Sequence, residues 1–160
     1  MKNVRAVAAA MVLGVAAQAA AASGVPVSIP DRVRGSEQVV VATVSDLRAS
    51  YETNEFGDQL IVSHVRLQVN ERLKGQTGTT VDVDVLGGTI GDTTMDVSSE
   101  PRVNRGDRAV FFLERNAHTV RLVPHLRGQG ILMLDANDRV KGTSLDLNTI
   151  RALAASANGR

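Results

Sequence analysis

The feature that most constrains the fold of this chain is an alternation of apolar and polar side chains. Between Leu60 and Leu73, one face carries Ile61, Val65, Leu67, Val69 and Leu73, and the other carries His64, Arg66, Gln68 and Asn70. Between Thr80 and Leu86, one face carries Val81, Val83 and Val85, and the other carries Thr80, Asp82 and Asp84. A period of two is typical of a β-strand, whose alternate side chains point to opposite faces of a sheet. Both segments are therefore predicted to be strands with one face in a core and one in water.

Further short strands are predicted along the rest of the chain. They cover Val39 to Val44, Thr94 to Ser98, Arg108 to Glu114, Thr119 to Val123, Gln129 to Leu134 and Arg139 to Lys141. The segments between them are rich in Gly, Asn and Asp, which turns favour. Many short strands separated by turns are typical of a sandwich or a barrel and not of alternating strands and helices. The predicted fold class is therefore all-β, in a small single-domain antiparallel barrel or sandwich.

Two helical segments are predicted to flank the strands. A short helix covers Ile29 to Ser36, with Pro30 in its first turn. A second covers Leu147 to Ala155, with Ser144 or Asp146 as its cap. The apolar stripe of the second helix consists of Leu147, Ile150, Leu153 and Ala154. Residues 156–160 are expected to fray.

The first 22 residues have the pattern of a secretory signal peptide. Lys2 and Arg5 form a positive segment, residues 6–15 are apolar, and residues 17–19 or 20–22 offer a small-x-small cleavage pattern. The mature chain is expected to begin near Ala20 or Ser23, in the periplasm or outside the cell. The apolar run is shorter than the roughly 20 residues that a bilayer span needs. No stable membrane insertion is therefore expected after cleavage.

The predicted organisation is a signal peptide (1–22), an N-terminal lead-in (23–36), a β domain (37–145), and a C-terminal helix with a frayed tail (146–160). The chain contains no cysteine. Disulfides and a lipid-modified N-terminal cysteine are therefore excluded, and core burial alone must stabilise the fold. The mature chain has the length of one ordinary domain.

Charge and aromatic content argue against nucleic acid as a partner. The chain has 18 Lys and Arg against 17 Asp and Glu, and Lys2 and Arg5 leave with the signal peptide. Nucleic-acid binding draws most of its affinity from clustered basic residues. The aromatic residues are Tyr51, Phe56, Phe111 and Phe112. Four aromatic residues are too few for a platform on which bases stack.

Several segments carry a family resemblance. They are Val39 to Val44, Val69 to Gly75, Val83 to Gly88 with Gly91-Asp92, and Gly106 to Leu113. In these segments the chain resembles an uncharacterised family of exported bacterial β domains, found alone or beside matrixin-like metalloprotease domains. That family is similar to the OB-like barrel of netrin and tissue-inhibitor-of-metalloproteinase modules. The resemblance covers about Ser36 to Leu134 and implies an OB-like barrel. The N-terminal cysteine with which such inhibitors address a protease zinc is absent here, so the resemblance does not support inhibition by that route.

No catalytic, cofactor-binding or metal-binding residue is predicted. The histidines are His64, His118 and His125. They form no HExxH motif, and they are expected on a wet strand face or near strand ends. Asp82 and Asp84 are expected to form cross-strand ion pairs with Arg66 and Arg72. The serines lack a Gly-x-Ser-x-Gly elbow and an ordered histidine partner, so no catalytic triad is predicted.

The most distinctive segment is a glycine-rich one, and it is the tentative binding loop. It consists of Gly87, Gly88, Thr89, Ile90, Gly91 and Asp92. A phosphate-binding loop needs a following helix N-terminus, whereas here a β pattern resumes at Thr94. The segment is therefore expected to be a tight turn or bulge at one end of the barrel, where loops commonly bind partners.

Two functions remain open from the sequence. The first is an exported, non-catalytic binding module that needs no cofactor and engages another exported protein, such as a protease or a cell-envelope component. The alternative is a carboxylate- or metal-dependent hydrolase acting outside the cytoplasm, with Asp82 and Asp84 or Asp92 and Asp96 as its carboxylates. An enzyme would bring carboxylates together in a pocket, whereas a binding module would disperse its charges.

Overall fold

The computed structural model describes residues 27–98 and 100–159. The predicted signal peptide and its cleavage sites lie outside these residues. In chain order, the elements are α1 (Ile29–Gly35), β1 (Gln38–Thr53), β2 (Gln59–Lys74), β3 (Thr80–Leu86), β4 (Gly88–Ile90), β5 (Thr93–Met95), β6 (Arg108–Arg115), β7 (Leu122–Pro124), β8 (Ile131–Met133) and α2 (Leu147–Asn158). A 3₁₀ turn, Arg127–Gly130, joins β7 to β8. The predicted all-β class with a short C-terminal helix is confirmed.

The main sheet closes on itself. β1 pairs with β2, β2 with β3, β3 with β7, and β7 with β6, which pairs in turn with β1. This five-strand ring has the pairing order of an OB-type barrel. β8 continues along the edge of β6 that β7 also uses. The sheet is mixed and not wholly antiparallel, because β3 and β7 run parallel where Val83 faces Leu122. β7 runs in the direction of β3 because the pairings of β3 with β2, β2 with β1, β1 with β6 and β6 with β7 are all antiparallel.

The first strand is longer than predicted and carries three irregularities. The sequence indicated a strand only from Val39 to Val44, but β1 continues to Thr53 because β2 pairs with it along its whole length. Its register shifts between Val39 and Val40, between Val41 and Ala42, and between Val44 and Asp46. Bulges of this kind bend a strand. The bends allow the first half of β1 to pair with both β2 and β6.

The protein has two apolar clusters, one inside the barrel and one beneath the helices. The barrel interior contains Val40, Ala42, Val65, Leu67, Val83, Val85, Phe111 and Leu113 among others. The second cluster packs α1 and α2 against the outside of β1 and β6, and it contains Val33, Val39, Val41, Val110, Phe112, Leu147 and Ile150 among others. The first half of β1, up to Val44, and most of β6 are therefore buried on both faces, which explains their continuous apolar runs. On the predicted core faces of β2 and β3, Val69 and Leu73 are half-buried, and the buried residues are Ile61, Val65, Leu67, Val81, Val83 and Val85.

Both helices form, and α2 extends further than predicted. The Ser28 hydroxyl caps α1 by accepting a hydrogen bond from the Asp31 amide. Of the two predicted caps of α2, Asp146 is the one used. The expected fraying from residue 156 is wrong up to Asn158, because Ala157 is buried and the Asn158 side chain donates a hydrogen bond to the Leu73 carbonyl.

The short strands differ from their predicted bounds at their ends. β5 ends at Met95 instead of Ser98, β7 begins at Leu122 instead of Thr119, and β8 begins only after the 3₁₀ turn. The predicted strand at residues 139–141 is reduced to isolated bridges. Within the described part of the chain, no helix is long and apolar enough to cross a membrane.

Candidate functional site

The outer face of β2 and β3 carries an ordered set of charged side chains. The pairing register places Arg66 opposite Asp82 and His64 opposite Asp84. Arg66 donates two hydrogen bonds to the Asp82 carboxylate, at 2.8 and 3.3 Å, and these bonds lower the pKa of Asp82. The expected cross-strand ion pair is therefore present at Arg66. Arg72 instead donates to the Thr77 carbonyl, at 3.2 Å.

His64 lies at the centre of this face and is held on both ring nitrogens. Its Nε2 atom is 2.8 Å from Ser50 Oγ, and its Nδ1 atom is 2.8 Å from Asp84 Oδ1. The side chains of His64 and Asp84 are 31% and 14% exposed, so the strand face is only partly wet here. The expectation that the serines lack an ordered histidine partner is wrong for Ser50. Val40, Ala42 and Val44 face the barrel interior, so simple alternation along β1 would turn Ser50 inward as well. The register shift between Val44 and Asp46 places Ser50 on the outer face instead, and this shift is not visible in the sequence.

Two further charged groups complete the cluster around His64. Glu52 Oε1 is 3.2 Å from His64 Nε2. Arg121 Nη1 is 3.1 Å from His64 Nδ1 and 3.2 Å from Asp84 Oδ2. Glu52, His64 and Asp84 each offer a donor atom within 4.8 Å of the others, so they could hold a metal ion. The Arg121 guanidinium, however, already provides a positive charge beside the Asp84 carboxylate.

Two clefts flank the cluster, and Asp84 lies in the wall of both. One, of about 550 Å³, is lined by Arg48, Arg66, Arg115 and Arg121 together with Asp46 and Asp82, and we call it the basic cleft. The other, of about 540 Å³, is lined by the carboxylates of Glu52, Asp84, Glu100 and Glu114, and we call it the acidic cleft. The acidic cleft has an apolar floor that includes Val62, Leu86, Val123 and Leu126.

The acidic cleft continues to His125 and Glu100. His125 Nδ1 is 2.7 Å from Glu114 Oε2, and the His125 ring lies against Gly35 so closely that a side chain at Gly35 would overlap it. Burial raises the pKa of the Glu100 carboxyl, and the nearby Arg127 partly offsets this effect. His118 is exposed in the loop between β6 and β7, as the sequence predicted for a histidine near a strand end.

Backbone strain occurs on both sides of β7. Val120, in the loop before β7, has a φ of 60°, and Leu126 and Arg127, after β7, have φ values of 56° and 54°. Such a conformation is costly for a β-branched residue and commonly occurs at functional sites. Hydrogen bonds hold Val120 in place, because its amide donates to the Asn116 carbonyl and its own carbonyl accepts from Arg115. Val120 lines the basic cleft, and Leu126 and Arg127 line the acidic cleft.

The glycine-rich segment lies on the other side of β2. Residues 88–90 form β4, which pairs with β5, and Gly91 and Asp92 form the turn between them. The Gly87 amide donates to the Ile61 carbonyl at 2.7 Å, and the Gly87 carbonyl accepts from Ser63 Oγ at 2.7 Å. Because Ser63 and His64 are consecutive on β2, they point to opposite faces. The segment therefore lies at the inner face of β2 and not beside the His64 cluster.

The carboxylates of the second predicted pair, Asp92 and Asp96, have different environments. Asp92 is exposed in the turn between β4 and β5. Asp96 accepts two hydrogen bonds from Arg102, at 2.6 and 2.5 Å, which lower its pKa. Asp96 therefore forms a surface ion pair, with the ordinary chemistry of such a pair.

No family model matches the chain, and no curated protein is significantly similar to it. The chemistry of the site is therefore inferred from its own geometry.

Proposed function

We propose that the protein is an exported, non-catalytic binding module that engages another exported protein, such as a protease or a cell-envelope component, through the outer face of β2 and β3. Carboxylates do meet in the acidic cleft, as expected of an enzyme. Three of them are paired, Glu52 with His64, Asp84 with Arg121 and Glu114 with His125. This pairing of charges, together with that of Arg66 and Asp82, is the observation that carries the binding proposal. The Arg66–Asp82 pair is exposed on both sides, and an exposed pair contributes little stability. These pairs hold a defined pattern of charge, and complementary charge gives protein interfaces their specificity.

The position of the face within the barrel also supports a binding role. OB-type barrels bind their ligands on the face of strands 2 and 3 and on the loops that border it. In this chain the bordering segments are the turn between β1 and β2 and the loop between β6 and β7, which supplies Arg121. This support is an analogy at the level of the fold, and it complements the charge pattern.

Exposed apolar side chains occur in both bordering segments. Phe56, in the turn between β1 and β2, is 80% exposed, and Val120, in the loop between β6 and β7, is 63% exposed. Aromatic and apolar residues set among polar ones are typical anchors of protein interfaces. We therefore assign Phe56 and Val120 as the residues of this chain that anchor the partner.

A photo-crosslinking residue placed on the face tests the proposal. At Gln68 or Thr119, both exposed, it should form adducts with an exported protein in the native host. The same residue at Asn137, exposed in the turn after β8, is the control and should form none. Equal adducts from all three positions, or none from any of them, would contradict the proposed face.

Export itself is tested by the N-terminus of the protein purified from its host. The proposal expects a mature chain that begins near Ala20 or Ser23. Intact Met1 in a membrane fraction would overturn it.

A second candidate function, a serine hydrolase, is favoured by one observation. The order Ser50 Oγ, His64 Nε2, His64 Nδ1 and Asp84 Oδ1, with both contacts at 2.8 Å, is that of a nucleophile, a base and an orienting carboxylate. In such a reaction Ser50 Oγ would attack an acyl carbon while its proton passes to His64 Nε2. His64 would then return the proton to the leaving alcohol, and water would release the acid.

The position of Glu52 is the reason why we rank hydrolysis second. His64 Nε2 can accept the Ser50 proton only while it carries no proton itself. In that state the lone pair of Nε2 faces the Glu52 oxygen at 3.2 Å, and two hydrogen-bond acceptors oppose each other. A triad also needs hydrogen-bond donors that stabilise the oxyanion. Ser50 lies in the middle of β1, with Arg48 and Glu52 as its neighbours on the same face. The carboxylate of Glu52 would repel an oxyanion formed at Ser50.

A fluorophosphonate probe separates the two candidates. The binding proposal expects no labelling of Ser50 and no hydrolysis of a nitrophenyl ester above that of a Ser50→Ala variant. Labelling that is lost in Ser50→Ala and His64→Gln, but kept when the exposed Ser144 is changed to Ala, would establish the hydrolase instead.

A further inference from the structure

We infer that the acidic cleft receives an Arg or Lys side chain from a basic segment of the partner protein. This inference rests on the proposed binding function and names the chemistry of the partner. The lining of the cleft combines carboxylates with apolar side chains. A long basic side chain likewise has two parts, an apolar stem and a charged end.

The charges of the cleft are unbalanced. Its lining has four carboxylates and the single guanidinium of Arg127. Arg121 compensates Asp84 from the adjoining loop. Glu52 and Glu114 have histidines as their partners, and their side chains are 40% and 42% exposed. These two carboxylates can therefore be reached by a cationic group that enters from solvent.

The floor of the cleft interrupts the polar outer face of β2 and β3. Val62 lies directly opposite Leu86 in the register of these strands. Val62 is two residues before His64 on β2, and Leu86 is two residues after Asp84 on β3. Val123, from β7, and Leu126, which is 40% exposed, extend the apolar surface. Val62, Leu86 and Val123 are half-buried, and the surface that they leave uncovered faces the cleft.

A basic side chain matches both parts of this site. Arg and Lys lay their methylene groups along apolar surface and place their charged group in a polar environment. A stem on Val62 and Leu86 brings the charged end to Glu52 and Glu114. The cleft volume of about 540 Å³ falls in the range of roughly 300–1,000 Å³ typical of ligand pockets. Arg is also among the residues that contribute most to protein interfaces.

Two fluorescein-labelled decapeptides test the inference by anisotropy with the whole protein. In one, Arg alternates with Val, and in the other, the neutral residue Gln replaces Arg. The Arg peptide should bind and the Gln peptide should not. The double variant Glu52→Gln with Glu114→Gln should weaken binding of the Arg peptide by about tenfold or more, because truncating a carboxylate partner removes a charge-assisted contact.

The control has the same change in net charge at other exposed sites. It combines Asp92→Asn in the turn between β4 and β5 with Asp96→Asn, directly after β5, and it should alter affinity by no more than about twofold. A Leu126→Ser variant with normal thermal unfolding should also weaken binding, because it makes the floor polar. Equal binding of the two peptides, or equal loss in the two double variants, would overturn the inference.

The outcome also separates this inference from the proposed function. If the Arg peptide fails to bind while Gln68 and Thr119 still give adducts, the acidic cleft has another role and the binding function stands. If the peptide binds as expected and no adducts form, the cleft is assigned correctly and the proposed face is wrong.

Discussion

The Nδ1 atom of His64 lies 2.8 Å from Oδ1 of Asp84, at the position where the two residues face each other on β2 and β3. This contact places the imidazole between the basic and acidic clefts. On its other nitrogen the ring meets Ser50 and Glu52, which come from β1. The contact thus joins three strands of the barrel, and the surface around it is ordered enough to present a fixed pattern of charge.

The interior of the barrel should be sensitive to truncation at Leu67. This residue is fully buried in the inner cluster, and replacing it with Ala should lower the free energy of unfolding by about 2–5 kcal/mol. Phe56, which is 80% exposed, is the matched control, and Phe56→Ala should change stability by less than about 0.5 kcal/mol. Urea denaturation measures both. A small loss at Leu67 would mean that this face of β2 is not the core face.

Two glycines of the β4–β5 hairpin should respond differently to Ala. Gly88 has a φ of 136°, and a Cβ atom there would overlap Ser63 Oγ. Gly91 has a φ of 56° and open space around it. Gly91→Ala should therefore cost about 1–2 kcal/mol, the usual penalty of a left-handed conformation, and Gly88→Ala should cost more. Thermal unfolding of both variants tests this order, and a reversed order would contradict the described hairpin.

Glu100→Gln should raise the Tm in a pH-dependent way. Burial raises the pKa of Glu100 above its usual value near 4.5. The favourable contribution of the protonated carboxyl is fully present below the unfolded pKa and is lost as the pH rises through the folded pKa. A Gln side chain does not ionise, so the variant does not lose stability in this way as the pH rises. The variant should therefore match the parent near pH 4 and exceed it by a few degrees at pH 8. A difference that is constant with pH would exclude this explanation.

The cap of α2 should also depend on pH, with the opposite sign. Hydrogen bonds from the Thr149 amide to Asp146 lower the pKa of that carboxyl. Its contribution to stability is present above the unfolded pKa and is lost as the pH falls through the lower folded pKa. Asp146→Ala should lower the Tm by a few degrees at pH 7, while Asp146→Asn should retain part of the cap. Scanning calorimetry from pH 7 to pH 3 should show the parent losing its advantage at the acid end.

The strands themselves were predictable because they depend on local pattern. The period of two in β2 and β3 follows from side chains that alternate between core and solvent, and their predicted bounds agree with the structure to within one residue at each end. The prediction of a turn or bulge in the glycine-rich segment holds for Gly91 and Asp92, where the positive φ of Gly91 favours glycine, and residues 88–90 form β4 instead. The short strand β4 inside this segment was missed because it forms through its pairing with β5, which no local pattern shows.

The site was only partly predictable, because it depends on register. Asp82 and Asp84 were placed on one face with Arg66 nearby, and the Arg66–Asp82 pair forms. Ser50 and His64 are 14 residues apart, and they meet because the turn at residues 54–58 sets a continuous register from Thr53 opposite Gln59 to Asp46 opposite Arg66. The strand pattern predicted β1 only up to Val44, so neither this turn nor the pairing of Ser50 was predicted.

The sequence by itself determined the bounds of β2 and β3, the presence of the two helices and which of their faces are apolar, since these follow from local periodicity. Tertiary structure decided that the sheet closes, because the pairing of β1 with β6 and of β3 with β7 joins strands that are far apart in the chain. It also decided that Arg121 meets His64 and Asp84, which are 57 and 37 residues away, at the place where β1 supplies Ser50 and Glu52. Only the closure of the barrel brings Arg121 to these groups.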